Sequence, residues 1–418
     1  MLDKILILLA VIALLGVVFE EQLHINKAKV TLFFGTIGWI LLFVFAAGEQ
    51  ATDDINASLL DNITEISTLW LFLVATMTFV AYLNRKGLIS HMLNIIMPTQ
   101  ITLRKLMFIT ALFSFTFSSL ADNITATLVA ITLVLSLGLA IEKTIRFCVL
   151  VVFAVNSGGV SLITGDVTTL MVFMHDKVTI PQLLLLLGPS FIAVMVLASL
   201  LSIGLNGVVR INKVRAGTID QTDLIVAGVF ICTIIFTLLL NILFSIPPML
   251  TFLAGLSLMF LVVNKTDRQP GQDPILNYVR YIEFDTLLFF LGVLLLVGML
   301  EYIDVLHSVA YLYDVFPTYI ANYLLGALSA LIDNVPLTAA ILKADISMSV
   351  EEWILFTYAV GVGGSLLVIG SAAGIVAMSK VEDLSFTQYG RYFLLLALAY
   401  SFGYGLVYLL TTIMVGAE

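Results

Sequence analysis

The sequence predicts an all-α polytopic membrane protein made of two inverted repeats. Each repeat is expected to hold about five transmembrane helices and one re-entrant helical hairpin, with a broken helix after each hairpin. Three observations predict this. The 418 residues are 61% hydrophobic and only 11% charged, with mean hydropathy +1.11, whereas soluble domains carry roughly 25% charged residues. Two similar polar motifs interrupt long apolar stretches, one in each half of the chain. The basic residues also segregate to alternate loops, as in proteins oriented by positive charge.

The apolar runs place spans near 5–19, 30–48, 67–83, 147–172, 182–209, 222–244, 248–264, 284–300, 353–378 and 389–414. They are continuous rather than alternating, which argues against an outer-membrane barrel. No small-residue cleavage site follows the first run, so it is read as a retained span rather than a signal peptide. Two further stretches, about 105–140 and 318–342, are interrupted by the polar motifs and are read as hairpins that enter and leave on one side. Gly87–Met97 and Val305–Phe316 precede them and read as interfacial segments or as plain connecting loops. Cys148 and Cys232 both lie in apolar runs and are expected to be free buried thiols.

With this topology, all of the 19 Lys and Arg residues except Lys4, Lys177 and Lys343 fall on one side. That side is assigned to the cytoplasm, which puts both termini outside. Glu49, Asp53, Asp54, Asp61 and Glu65 lie on the other side and are expected to be mostly solvated. If either hairpin were a single crossing span, the segregation would invert halfway along the chain.

The halves, 1–218 and 219–418, match in order. Glu65-Ile-Ser-Thr-Leu resembles Glu283-Phe-Asp-Thr-Leu, and Asp122-Asn123 matches Asp333-Asn334. Asn156-Ser157-Gly158-Gly159 falls on Gly361-Val362-Gly363-Gly364, and Thr164-Gly165-Asp166 on Ile369-Gly370-Ser371. An odd number of spans per half makes the repeats inverted, an arrangement found with broken helices in secondary transporters.

Ionisable residues within a membrane are costly and mark function by default. Asp122, Asp166 and Asp333 supply carboxylates there, and Asn123, Asn156 and Asn334 supply amides. Oxygen donors of this kind suit hard cations. The glycine doublets after each hairpin weaken a helix by roughly 1 kcal/mol per residue relative to alanine, so the helices are expected to unwind there and free carbonyl oxygens as ligands. Pro336 fits the first turn of a returning helix, which puts Asp333 and Asn334 at the hairpin tip. His24, His91, His175 and His307 all fall in predicted loops, so a zinc, copper or haem centre is not indicated. There is no Ser-His-Asp set, phosphate-binding loop or dinucleotide fingerprint, and no basic cluster for nucleic acid. Neither an enzyme nor a cofactor is expected.

Ala-Asp-Asn-Ile-Thr-Ala-Thr from Ala121, Ile-Asp-Asn-Val-Pro-Leu-Thr-Ala-Ala from Ile332, and Asn156-Ser-Gly-Gly with Thr164-Gly-Asp together resemble the NhaD-type Na⁺/H⁺ antiporters. These belong to the ion transporter superfamily, beside arsenite permeases and sodium-coupled anion symporters. The resemblance covers about 60–410. It implies hairpin-tip site residues at Asp122, Asn123, Thr125, Asp333 and Asn334. It also implies an unwound-helix site at Asn156, Ser157, Thr164 and Asp166 and, through the repeat, at Gly363, Gly364 and Ser371. Asp122, Asp166 and Asp333 would hold transported Na⁺ or Li⁺ in competition with H⁺, because an ionised carboxylate favours a cation while burial favours its proton. The resemblance further implies homodimers with a scaffold and a mobile transport part. The expected location is a bacterial inner (plasma) membrane. Two other readings use the same residues: an arsenite or dicarboxylate transporter of the superfamily, whose hairpin tips commonly carry Ser, and an intramembrane aspartyl protease with Asp122 and Asp333 as its dyad.

Overall fold

The computed structural model describes residues 2–23, 25–89, 91, 95, 98–210, 220–266, 278–344, 346–381 and 384–415. The chain starts with α1 (Leu2–Val18), α2 (Lys27–Val44) and α3 (Glu49–Arg85). A short strand β1 (Gln100–Thr102) leads into α4 (Leu103–Leu120) and α5 (Asn123–Ser136). Next come α6 (Ile141–Gly159), α7 (Val167–Met174), α8 (Leu187–Ser202) and strand β2 (Val208–Arg210). The second half contains α9 (Gln221–Phe244), α10 (Pro248–Thr266), α11 (Phe284–Tyr302) and α12 (His307–Val315). It continues with α13 (Thr318–Leu328), α14 (Asn334–Lys343), α15 (Val350–Gly363), α16 (Ala372–Lys380) and α17 (Phe393–Val415).

Among the described residues, seven helices are long and apolar enough to cross a membrane. The runs at 147–172 and 353–378 are not single helices. Each stops at a glycine, Gly159 or Gly363, and resumes after a turn, at Val167 or Ala372. The stretches at 105–140 and 318–342 are each two helices meeting at the Asp-Asn motif. Val305–Phe316 carries the short helix α12. Gly87–Met97 lies largely outside the described residues, as do His24, Lys213, Arg215 and Arg268.

The acidic stretch from Glu49 to Glu65 departs from expectation, because it forms the first half of α3 rather than a loop. It has neither glycine nor proline, and Ile55, Asn62 and Ile66 repeat at helical spacing and are buried. At 37 residues the helix is about 55 Å long, well beyond the ~30 Å hydrocarbon thickness.

Two compact units divide the chain. One comprises Met1–Ile66, Arg104–Leu205 and Asp285–Glu418, and the other Ser67–Leu103 and Asn206–Phe284. Both draw on the two sequence halves. In the larger unit, small residues let backbones approach closely. A side chain at Gly35 would strike the Gly292 carbonyl oxygen of α11, and Trp39 Nε1 donates to the Leu295 carbonyl at 2.9 Å. A Cβ at Gly158 would fall on the Phe115 carbonyl oxygen, and one at Gly363 on that of Gly326. Phe115 and Gly326 each lie three residues before the serine of their motif, Ser118 and Ser329. The same packing therefore recurs at matching positions of the two halves.

In the smaller unit, the lower part of α3 packs through Phe72 on Phe252 and Phe79 on Phe230, with centroids 4.7 and 5.1 Å apart. The Tyr82 hydroxyl donates to buried Asp223 at 2.7 Å, and β1 pairs antiparallel with β2. Cys148 is buried as expected, but Cys232 is exposed. Cys232 sits on the face of α9 that carries Leu224, Ile225, Ile231, Ile235 and Leu239, all exposed. An apolar run in a membrane protein can be covered by lipid instead of protein, which is why the run alone overstated the burial of Cys232.

Candidate functional site

Four helices of the larger unit begin at the polar motifs, and each is capped by a motif residue. Asp122 caps α5: one carboxylate oxygen accepts the Thr125 N–H at 2.9 Å and the other the Thr125 hydroxyl at 2.8 Å. Asp166 caps α7 through the Thr168 N–H at 3.1 Å. Asp333 caps α14 through the Val335 N–H at 3.3 Å. Ser371 caps α16 through the Gly374 N–H at 3.4 Å. Short acceptor side chains satisfy the otherwise unpaired first N–H groups of a helix. The positive end of each helix in turn favours an ionised carboxylate.

The first helical residues after the Asp122 and Asp333 caps converge on one carboxylate. Asp166 Oδ2 accepts Asn123 Nδ2 at 2.9 Å and Asn334 Nδ2 at 3.4 Å. Asn123 Nδ2 also lies 3.4 Å from Asn156 Oδ1, and Asn156 Nδ2 donates to Ser371 Oγ at 2.9 Å. The Ser118 hydroxyl donates to Asn123 Oδ1 at 2.7 Å, which turns the amide so that its NH₂ faces Asp166. A Cβ at Gly159 would fall against Asn123 Oδ1 and Asp166 Cβ, so glycine there lets the two side chains meet. Asp166, Asn156, Ser157, Asn334 and Ser371 are all buried.

One network thus brings together Asn123, Asn156, Asp166, Asn334 and Ser371. Ser157 Oγ is buried beside it with no hydrogen-bond partner. Thr164 Oγ1 donates to the Ser119 carbonyl at 2.9 Å, and Gly363 abuts Gly326. Gly364 lies against Gly370 and Ser371 at the second helix break.

The carboxylates of Asp122 and Asp333 are engaged elsewhere, Asp122 with Thr125 and Asp333 with Lys27 Nζ at 2.8 Å. Among the described residues, no three His, Cys, Asp or Glu side chains gather as one metal-binding group. The separate partners of Asp122 and Asp333 also leave them without the shared proton that a protease dyad needs.

Two features were missed in the sequence. Lys27 read as a loop cation, and nothing in its spacing linked it to Asp333, 306 residues away. Glu65 read as a solvated acid, yet it pairs with Lys343 Nζ at 2.9 Å and lies 3.4 Å from His175 Nε2. Lys343 also reaches Glu301 at 2.7 Å. Ser118 was detectable, since it and Ser329 both stand four residues before the Asp of their motif.

A family model described as citrate transporter matches residues 2–363. The Na(+)/H(+) antiporter NhaD of Alkalimonas amylolytica is 30% identical over 409 residues, covering 91% of this chain and 84% of that protein. The Na(+)/H(+) antiporter NhaD of Halomonas elongata is 28% identical, with coverage of 92% and 83%. Sodium/proton antiporter 1 of Arabidopsis thaliana is 31% identical, with coverage of 93% and 69%. With buried, amide-bound Asp166 joining three capped helices, these matches show that the chain belongs to the NhaD-type Na⁺/H⁺ antiporter family, within the group that the citrate transporter model describes.

Proposed function

We propose that this protein is a secondary transporter, not an enzyme, that exchanges Na⁺, and also Li⁺, for H⁺ across the membrane. The observation that carries this reading is the meeting of Asn123 and Asn334, one from each hairpin, on Asp166 Oδ2. A carboxylate held there binds a cation when ionised and a proton when neutral, and not both at comparable affinity. Asp166 is the exchange carboxylate, with Asn123 Oδ1, Asn156 Oδ1, Ser157 Oγ and Ser371 Oγ as the oxygens within its network. Asp122 and Asp333 are further carboxylates that the transported cation can engage. Alternating access of this site couples outward Na⁺ to inward H⁺. An inward-negative potential adds about 2.3 kcal/mol per charge per 100 mV if more H⁺ than Na⁺ moves.

The architecture that goes with this function is a pair of inverted repeats with re-entrant hairpins entering from opposite sides. It forms a homodimer in a bacterial inner membrane with both termini outside. The recurring contacts Gly158–Phe115 and Gly363–Gly326 and the segregation of basic residues support it. Cysteines placed at Ala121 and Ile332 should label from the cytoplasmic and external faces respectively. Labelling of both from one face in every condition would sink the inverted arrangement.

One observation favours a second reading. Helix N-termini gathered at a site suit an anion, and the family description names citrate. Three of the four caps here are Asp, however, which reverses the sign of the site. The deciding experiment uses everted vesicles with a pH-sensitive dye, adding Na⁺, Li⁺, K⁺ or citrate separately. Proton movement on adding Na⁺ or Li⁺ is the expected result. Citrate uptake without cation-dependent proton movement would replace the exchange reading with an anion transporter.

A further inference from the structure

The two hairpin tips have the same sequence pattern but not the same bonding. Asp122 is satisfied within its own hairpin, because Thr125 gives it both an N–H and a hydroxyl. The position matching Thr125 in the second hairpin is Pro336, which has neither. Asp333 therefore takes only the Val335 N–H from its own helix, and its other oxygen faces Lys27 Nζ at 2.8 Å.

Lys27 is an unusual partner. It is the first residue of α2, where the helix dipole disfavours a cation and where the first turn has no acid. Its side chain is 14% exposed and that of Asp333 is 3%. The ammonium also lies 4.2 Å from the Phe289 ring centroid, a contact that holds a cation weakly and without a counter-charge. Asn26 fixes the start of the helix by accepting the Ala28 N–H at 2.8 Å and donating to Asp285 at 2.9 Å. An ammonium at the end of a flexible four-carbon stem is a point charge with freely turning donors. Here it is delivered to the one tip carboxylate that lacks a hydroxyl donor.

We propose that Lys27 is a tethered cation that occupies Asp333 in place of a free one, so that Na⁺ must displace it to engage that carboxylate. This rests on the exchange reading above and adds a residue that sets its cation affinity. When a site is open only a fraction of the time, its apparent affinity falls by that fraction. Removing the competitor should therefore tighten apparent Na⁺ binding, whereas a purely structural lysine would give no such gain.

The test compares wild type, Lys27→Met and Lys27→Arg in reconstituted vesicles, reading half-saturating Na⁺ and maximal rate separately. In Lys27→Met the half-saturating Na⁺ should fall by about threefold or more, as for a carboxylate that Lys27 leaves free no more than about a third of the time, while Lys27→Arg keeps the wild-type value. A folded Lys27→Met protein whose half-saturation is unchanged, raised or unmeasurable overturns the proposal. If Lys27→Met does not reach the membrane, two further measurements decide. Pro336→Thr, which gives Asp333 the hydroxyl donor of the first hairpin, should restore Lys27→Met and show the tightened half-saturation. In the purified wild-type protein, Na⁺ but not choline should increase acylation of Lys27 by an amine-reactive reagent, read by mass spectrometry. Absence of that increase overturns the proposal. Lack of any Na⁺-driven proton movement by wild type would instead remove the exchange reading, and the acylation measurement would still judge Lys27.

Discussion

Asn156 on the first broken helix donates through Nδ2 to Ser371 Oγ, the cap of the second, at 2.9 Å. Both side chains are buried. The bond ties the two helix breaks together, and Asn156 Oδ1 reaches on toward Asn123. Asn156→Ala would remove both contacts and leave Ser371 Oγ short of a donor. Net loss of one or two such bonds costs about 1–2 kcal/mol of stability. Exchange should fall further than folding, because the amide oxygen is also a candidate ligand. Vesicle exchange measured against the amount of folded protein, from size-exclusion profiles, checks this. Equal loss of both would make Asn156 a packing residue only.

Asp122 invites a comparison between its charge and its capping role. Asp122→Asn keeps an acceptor for the Thr125 N–H and removes the charge. Thr125→Val keeps the charge and removes the hydroxyl, at a cost of about 1 kcal/mol. Asp122→Asn should therefore lose exchange at least roughly tenfold with near-normal folded yield, a change worth about 1.4 kcal/mol. Thr125→Val should retain exchange and melt at a lower temperature. The opposite pattern would reduce Asp122 to a helix cap.

Gly158 and Gly363 are the matched contact points where a broken helix meets the helix that precedes an Asp-Asn motif. Each would place a Cβ on a backbone carbonyl oxygen, of Phe115 or Gly326, which a flexible side chain cannot relieve. Forcing extra volume into a packed contact costs about 1–3 kcal/mol. Gly158→Ala and Gly363→Ala should each lower the melting temperature in detergent, and by similar amounts if the halves are equivalent. An alanine that leaves melting unchanged at either position would argue against close approach there.

Much of this arrangement was readable in the sequence because its signals are local. The Asp-Asn motifs, the glycine doublets and Pro336 fix helix ends through backbone chemistry, and the positions of the helix junctions and breaks follow from them. Partnerships across the fold left no such trace. Lys27 meets Asp333, and Lys343 meets Glu65, only through tertiary packing. The acids from Glu49 to Glu65 fall between the apolar runs, so the runs alone miss their helix, which the buried spacing of Ile55, Asn62 and Ile66 builds. Cys232 misled for the converse reason, since an apolar run does not say whether protein or lipid covers it.

Asp166 is where the two halves differ most, since its match in the second half is the neutral Ser371. Its Oδ2 accepts two amide donors, and its Oδ1 caps α7. In Asp166→Asn one oxygen becomes an NH₂ group. If that group takes the Oδ2 position it faces the NH₂ groups of Asn123 and Asn334, and if it turns it loses the Thr168 N–H. Either way at least one donor is left unpaired, at about 1–3 kcal/mol each. The variant should also lose the charge that holds a cation. Apparent Na⁺ affinity should therefore weaken more than tenfold, about 1.4 kcal/mol or more, and the loss should be nearly the same at low and high ionic strength, because a buried charge is little screened. Titration of Na⁺-driven exchange at two salt concentrations, balanced with choline, reads both quantities. A small shift that grows at low salt would instead describe an acid in a wet vestibule and would move the exchange role from Asp166 to Asp122 or Asp333.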